Sequence, residues 1–242
     1  MSPPRPQPHR LLPRTAGFSL VEILVVIAVV GTLLALLFPM LAAARQRGKE
    51  TVTISQLAQA ATAFVGYTTN WKDAFPQPHS PSDPAYATQG RYFSLHATWP
   101  VSLGAELFGS TQAADSTYTL PLRRYWPVLY PCAFIAVPDY WDPRTRTGES
   151  QLSSTRMADV RSPSHKAMVA TAAYGDPGEQ TLPLFIGFVD GSAARVRVSD
   201  VQAGVLSGDG NIPQAFHGGS NWIGSEVMHT LRGVAGRDVR SR

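Results

Sequence analysis

Glu22 is the one charged residue in the 27-residue run from Phe18 to Ala44, and that isolation makes it the first candidate for chemistry. An ionised carboxylate at the centre of a hydrocarbon layer costs about 2.5–3.5 kcal/mol or more, so such a group points to a function and needs a partner. A cut between Gly17 and Phe18 would supply one, because the new amino group would lie four residues before Glu22, about one helical turn away. The pair could close within one chain. Alternatively, the carboxylate of one copy could neutralise the amine of its neighbour in a helical stack. Either arrangement lowers the desolvation cost of both charges. A carboxyl that is simply protonated in lipid is the bland alternative.

The other chemistry-bearing residues form no constellation. H-E-x-x-H, G-x-S-x-G and the P-loop are absent from the sequence. Cys132, the only cysteine, sits in the apolar stretch Tyr130-Pro131-Cys132-Ala133-Phe134. That setting suits a buried structural thiol better than a nucleophile, and a lone cysteine excludes an intrachain disulfide. His9, His79, His96, His165, His217 and His229 are scattered, with no pair at metal-ligand spacing on one helix. In Ser207-Gly208-Asp209-Gly210-Asn211, the side chains of Asp209 and Asn211 could offer oxygens to Ca2+ from a tight loop. The same residues make an ordinary turn, and no acid-rich twelve-residue loop follows. The chain is therefore read as a non-enzyme with no assigned cofactor, Ca2+ being the only candidate ion.

Gly17-Phe18-Ser19-Leu20-Val21-Glu22-Ile23-Leu24-Val25-Val26-Ile27-Ala28 resembles the N-terminal cleavage and methylation signature of type IV prepilins and type II secretion pseudopilins. The matching parts are Gly before the cut, Phe after it, Glu five residues into the mature chain, and an unbroken apolar helix. Pro39 also matches that family, where a proline in this helix commonly gives a kink or a locally melted stretch. The resemblance implies that a membrane aspartyl prepilin peptidase cuts after Gly17 on the cytoplasmic side and N-methylates Phe18. It implies a single-pass protein of the bacterial inner membrane with its head in the periplasm, later part of a periplasmic pseudopilus or a cell-surface fibre. The implied partners are the peptidase, an inner-membrane assembly platform, and further pilin-like subunits. Phe188-Val189-Asp190-Gly191-Ser192 also resembles the F-x-D-G-S hairpin of H-X9-DG pseudopilin-like heads. The sequence departs from that pattern: ten positions before Asp190 stands Gln180, and His217-Gly218-Gly219-Ser220-Asn221 falls after the hairpin.

A long helix must position Glu22. As a helix, Phe18–Ala44 would be ~40 Å long, enough to cross a hydrocarbon core of ~30 Å. Ile54, Leu57, Ala61, Phe64 and Thr68 recur at spacings of three and four, so Gln46 to Thr69 reads as an amphipathic continuation of the same helix. Pro39 removes one backbone hydrogen bond, and a kink is expected there. Gly66 and Asn70 begin the exit, into the Pro-rich loop from Phe75 to Pro84. Tyr86 to Tyr118 shows no clear period. Tyr125 to Trp141 is aromatic but broken by Pro127, Pro131 and Pro138, which suits an edge strand or packed loop whose rings enter the core. Ala167–Ala173 and Leu184–Val189 read as strands, and Asp190-Gly191 joins the latter to Ala193–Val198 as a hairpin. The expected fold is α+β and pilin-like: a long N-terminal helix, transmembrane then amphipathic, packed on a small antiparallel-sheet head. Its segments are a removed basic leader at 1–17, an assembly helix at 18–44, the amphipathic continuation at 45–70 and the head at 71–242.

Composition supports this division. Only 16% of the 242 residues are charged, against the ~25% of ordinary soluble domains, and the deficit lies largely in Phe18–Ala44. The net charge of +4 owes much to Arg5, Arg10 and Arg14 in the acid-free leader. Without them 18 basic residues face 17 acidic ones, which removes most support for a nucleic-acid partner. Arg5, Arg10 and Arg14 before the span balance Arg45, Arg47 and Lys49 after it, so charge counting leaves orientation open. Ala42-Ala43-Ala44 offers an alternative: an ordinary signal peptidase could cut after Ala44 and release a soluble enzyme or binding module beginning at Arg45. The apolar run exceeds the 7–15 residues typical of a signal peptide, and Glu22 is out of place in one. An uncleaved signal anchor is a third reading. The favoured one is a structural subunit of a pilin-like filament, with the missing disulfide leaning toward a type II secretion pseudopilus over a type IV pilus.

Overall fold

The apolar run and its amphipathic continuation form one helix, α1, spanning Leu20–Asn70. The computed structural model describes residues 17, 19–77, 99, 107, 109, 128–171, 173–174, 183–202, 222–223 and 230–240. The chain divides into two compact units, Met1–Arg47 and Gly48–Arg242. In the first, the large apolar side chains from Leu20 to Leu41 are all exposed. By length and composition this helix can cross a membrane. In the second unit, Thr53, Leu57, Ala60, Ala61, Phe64 and Thr68 are buried along one face of α1, and Ile54 is half-buried beside them. The stripe read from the sequence is therefore the buried one, widened by Thr53 and Ala60. Each large side chain it sinks is worth about 1.5–3 kcal/mol.

The helix leaves its axis later than the sequence suggests. Gly66 stays helical, and the turn comes at Trp71–Lys72–Asp73, where Lys72 and Asp73 take positive φ values of 55° and 63°. Packing decides this, because Phe64 and Thr68 on either side of Gly66 are held in the core. The Asp73 N–H then donates to Thr68 O at 2.8 Å and closes the helix end.

Aromatic rings fill the space beside the stripe. Phe64 stacks on Tyr130 with centroids 4.8 Å apart and tilts against Trp99 at 5.0 Å. Tyr130 continues to Phe134, which meets Phe75 at 4.5 Å. Such pairs add ~0.5–1.5 kcal/mol beyond their area burial. The segment carrying these rings is a packed loop with short 3-10 turns at Cys132–Phe134 and Pro138–Trp141, as its prolines require. Among the described residues a single bridge, Leu129 to Ala170, ties it to a strand.

Behind the helix lies a three-stranded antiparallel sheet in the order β1-β3-β4, formed by Ala167–Ala170, Leu184–Phe188 and Ala193–Val196. The expected strand from Ala167 to Ala173 is two strands. At Thr171 the backbone N–H still bonds Phe185 O at 2.9 Å, but the Phe185 N–H takes the Thr171 hydroxyl at 3.0 Å. The hydroxyl replaces a ladder acceptor, and the chain departs into β2, Ala173–Tyr174, which pairs with β5, Trp222–Ile223. The hairpin between β3 and β4 turns on three residues, Val189-Asp190-Gly191. Phe188 N–H bonds Ser192 O at 2.7 Å and Gly191 sits at φ +81°. This is the three-residue loop with a glycine bulge, and it twists the hairpin more than a two-residue turn would. The β4 strand ends at Val196, two residues short of the apolar alternation, and a 3-10 turn follows at Val198–Asp200.

Gly187 on β3 sets how closely sheet and helix approach. A Cβ there would lie 2.6 Å from Leu57 O and 2.7 Å from Val169 Cγ2. Gly187→Ala is therefore expected to destabilise the Gly48–Arg242 unit by about 1–3 kcal/mol through overpacking. Gly66→Ala, with nothing within 4 Å of its Cβ, should instead stabilise it by ~0.5–1 kcal/mol. Denaturant melts of the detergent-solubilised chain check both signs.

Candidate functional site

Glu22 lies in the first turn of α1, and its partner among the described residues is the start of its own helix. The Ser19 N–H donates to Glu22 Oε2 at 2.8 Å, while the Ser19 hydroxyl oxygen accepts from the Val21 N–H at 3.3 Å. Ser19 is the residue before the helix and Glu22 its third position, so the two form a reciprocal cap over amide groups that the helix itself cannot satisfy. The negative charge also faces the positive end of the helix dipole. Ser19-Leu20-Val21-Glu22 carries the S-x-x-E signal for this cap in the sequence itself.

Gly17, immediately before the cap, is exposed. Phe18 lies outside the described residues, as does the leader before Gly17. Pro39 is inside α1 and supplies no N–H for the carbonyl of Ala35. Ala42, Ala43 and Ala44, the alternative cleavage site, are helical and exposed. Asp209 and Asn211 lie outside the described residues, together with His9, His79, His96, His217 and His229. His165 is half-buried, its Nδ1 within 3.0 Å of the Ser164 hydroxyl. Among the described residues no group of three or more His, Cys, Asp or Glu side chains could hold a metal ion. Cys132 is fully buried in the aromatic core, and burial pushes its thiol well above the ordinary range, away from the reactive thiolate.

Sequence reasoning missed a second charged constellation. Lys166 and Asp238 are both fully buried, with Lys166 Nζ 3.2 Å from Oδ1 and 3.1 Å from Oδ2. Thr230 bridges them: Lys166 Nζ donates to its hydroxyl at 2.5 Å, and that hydroxyl donates to Asp238 Oδ1. The Ala167 N–H donates to Oδ2 at 2.7 Å, and the Phe134 ring lies 5.6 Å from Nζ. Burial dominates both ionisations, pushing Lys166 below and Asp238 above their ordinary values against their mutual attraction. Either residue reads as a solvated surface charge from its neighbours in sequence, and only the fold joins them across 72 positions.

The description of the prokaryotic N-terminal methylation motif matches residues 12–38, a span that takes in Gly17, Phe18 and Glu22. The chain carries the prepilin-type signature, which marks a type IV pilin-like substrate of prepilin peptidase. No curated protein and no solved structure matches the chain.

The thiol offers a direct check on the head. Cys132 in the folded chain should resist a maleimide or disulfide reagent and should react fully once denaturant opens the core. Rapid stoichiometric labelling under native conditions would place it outside the core described above.

Proposed function

With the prepilin-type signature in place, we propose that the chain is a structural subunit of a pilin-like filament, assembled through α1. The observation that carries this reading is the motif at 12–38, whose described part enters α1 at Leu20, where the large apolar side chains are exposed as far as Leu41 and Glu22 is the one charge before Arg45. Prepilin peptidase cuts between Gly17 and Phe18 and methylates the new amine. The helix anchors the chain in the inner membrane, with the head in the periplasm. An assembly platform then draws it into a filament with other pilin-like subunits, where neighbouring apolar helices cover surfaces that lipid covered before.

Glu22 sets the register in this scheme. In the described chain its carboxylate caps its own helix, and the cap leaves one oxygen for a second donor, since a carboxylate accepts at both oxygens. The methylated amine of a neighbouring Phe18 is a cationic donor of the right kind. A buried charge that specifies register is the best-attested use of such groups. Pro39 gives the helix a bend or loosened turn that lets it adjust between membrane and filament. The lone Cys132 fits a pseudopilus of type II secretion better than a pilus whose head is closed by a disulfide.

Membrane fractionation and filament shearing test the assembly step in cells that hold the peptidase and platform. Glu22→Val should insert normally and lose most filament incorporation. Gly17→Val should accumulate with its leader attached. Incorporation of Glu22→Val at the normal level would contradict the register role.

A further inference from the structure

The Lys166–Asp238–Thr230 cluster holds the parts of a condensation reaction, and filament assembly makes no use of it. We propose that Lys166 and Asp238 join as an intramolecular amide between Nζ and Cγ, with loss of one water. This inference does not rest on the filament reading.

Four features of the geometry support it. The nucleophile is at hand, because Lys166 Nζ lies 3.2 and 3.1 Å from the two oxygens of Asp238, and a turn of the carboxyl group about Cβ–Cγ presents its face to the amine. The proton route is in place, because the Thr230 hydroxyl accepts from Nζ and donates to Oδ1. The stabilising donor is in place, because the Ala167 N–H points at Oδ2, where negative charge collects when Cγ becomes tetrahedral. The surroundings exclude water: both side chains are fully buried, and the Phe134 ring lies near Nζ. A low-dielectric site favours the neutral amine and the neutral acid over the ion pair, in the direction both ionisations are pushed.

The steps balance without an oxidant or co-reactant. Through Thr230, one proton passes from the Nζ ammonium to Oδ1, giving an amine and a carboxylic acid. The Nζ lone pair attacks Cγ, the N–C bond forms, and charge moves onto Oδ2 beside the Ala167 amide. A second proton travels from Nζ through Thr230 to Oδ1. The Cγ–Oδ1 bond breaks, water leaves, and the carbonyl re-forms at Oδ2. The product cross-links the edge of β1 to the C-terminal segment around residues 230–240 and closes a loop spanning 72 positions. That segment is already held there by Asp238 N–H to His165 O at 2.9 Å and by Gln202 N–H to Asp238 O at 2.7 Å. A covalent tie would keep it in place under tension or in denaturant.

Intact mass and peptide mapping of the full chain, purified in detergent with its N-terminus determined, test the proposal. The wild-type chain should be lighter than its sequence mass by one water, and protease digestion should yield a branched peptide containing both Lys166 and Asp238. Lys166→Arg keeps the positive charge but removes the amine nucleophile, so its mass should equal its sequence mass. Thr230→Val should leave most chains uncross-linked at early times after synthesis. Full sequence mass in the wild type, with Lys166 and Asp238 recovered in separate peptides, would overturn the proposal without recourse to any variant. A one-water deficit that persists in Lys166→Arg would overturn it too, since the bond would then lie elsewhere.

Discussion

A carboxylate at the head of a long apolar helix has to be satisfied wherever that helix goes. In water the first turn of α1 does this alone, with the Ser19 amide held by Glu22 and the Val21 amide held by Ser19. In lipid or in a bundle of like helices the same carboxylate faces a much higher desolvation cost, and a cationic donor becomes valuable. In the proposed scheme, cleavage after Gly17 would create one within a turn of Glu22. Processing and assembly would then be linked through a single charge: the enzyme that removes the leader would also make the group that the next subunit's carboxylate requires. The cap holds the Glu22 side chain over the helix end in the single chain.

The second unit solves a different problem with the end of the same helix. From Gly48 onward α1 has one apolar stripe and must bury it. Leu57, Ala60, Ala61 and Phe64 do so against a three-stranded sheet and a layer of stacked rings. The close approach is possible because β3 carries Gly187 opposite the Leu57 carbonyl. Among the described residues the head has five short strands and many 3-10 turns, and its irregular segments are held by bonds outside the sheet ladders. Thr155 donates its hydroxyl to Phe134 O at 2.6 Å, and Trp99 donates its indole N–H to Val128 O at 2.9 Å. Lys166, Thr230 and Asp238 anchor the C-terminal segment. Breaking a buried pair of this kind by removing one partner costs about 3–5 kcal/mol, far more than a partly exposed pair such as Arg195 and Glu50 contributes.

How much of this was legible in the sequence follows from how local each signal is. The helix was readable over nearly its whole length, because an apolar run and a three-four stripe are local patterns and no proline interrupts Lys49–Asn70. The hairpin was readable because Asp190-Gly191 stands between two apolar runs, although its third loop residue, Val189, looked like strand because it is apolar and buried. The split at Thr171 was hidden, since a threonine inside an apolar stretch reads as strand until its hydroxyl is seen to replace a ladder acceptor. Gly66 read as a stop signal because propensity carries no information about Phe64 and Thr68 being held on either side. The S-x-x-E cap is a local signal too, but in an apolar run a lone carboxylate points first to a partner outside the helix. Lys166 and Asp238 had no sequence signal at all, because contact between positions so far apart is a property of topology alone.

Assembly through Glu22 and a new amine depends on which bond is cut. Sequencing and mass analysis of the N-terminus of the chain recovered from its native membrane measures this directly. The account predicts N-methylated Phe18 as the first residue, with Glu22 four positions behind it. A chain beginning at Arg45, or one retaining Met1 and its leader, would contradict it.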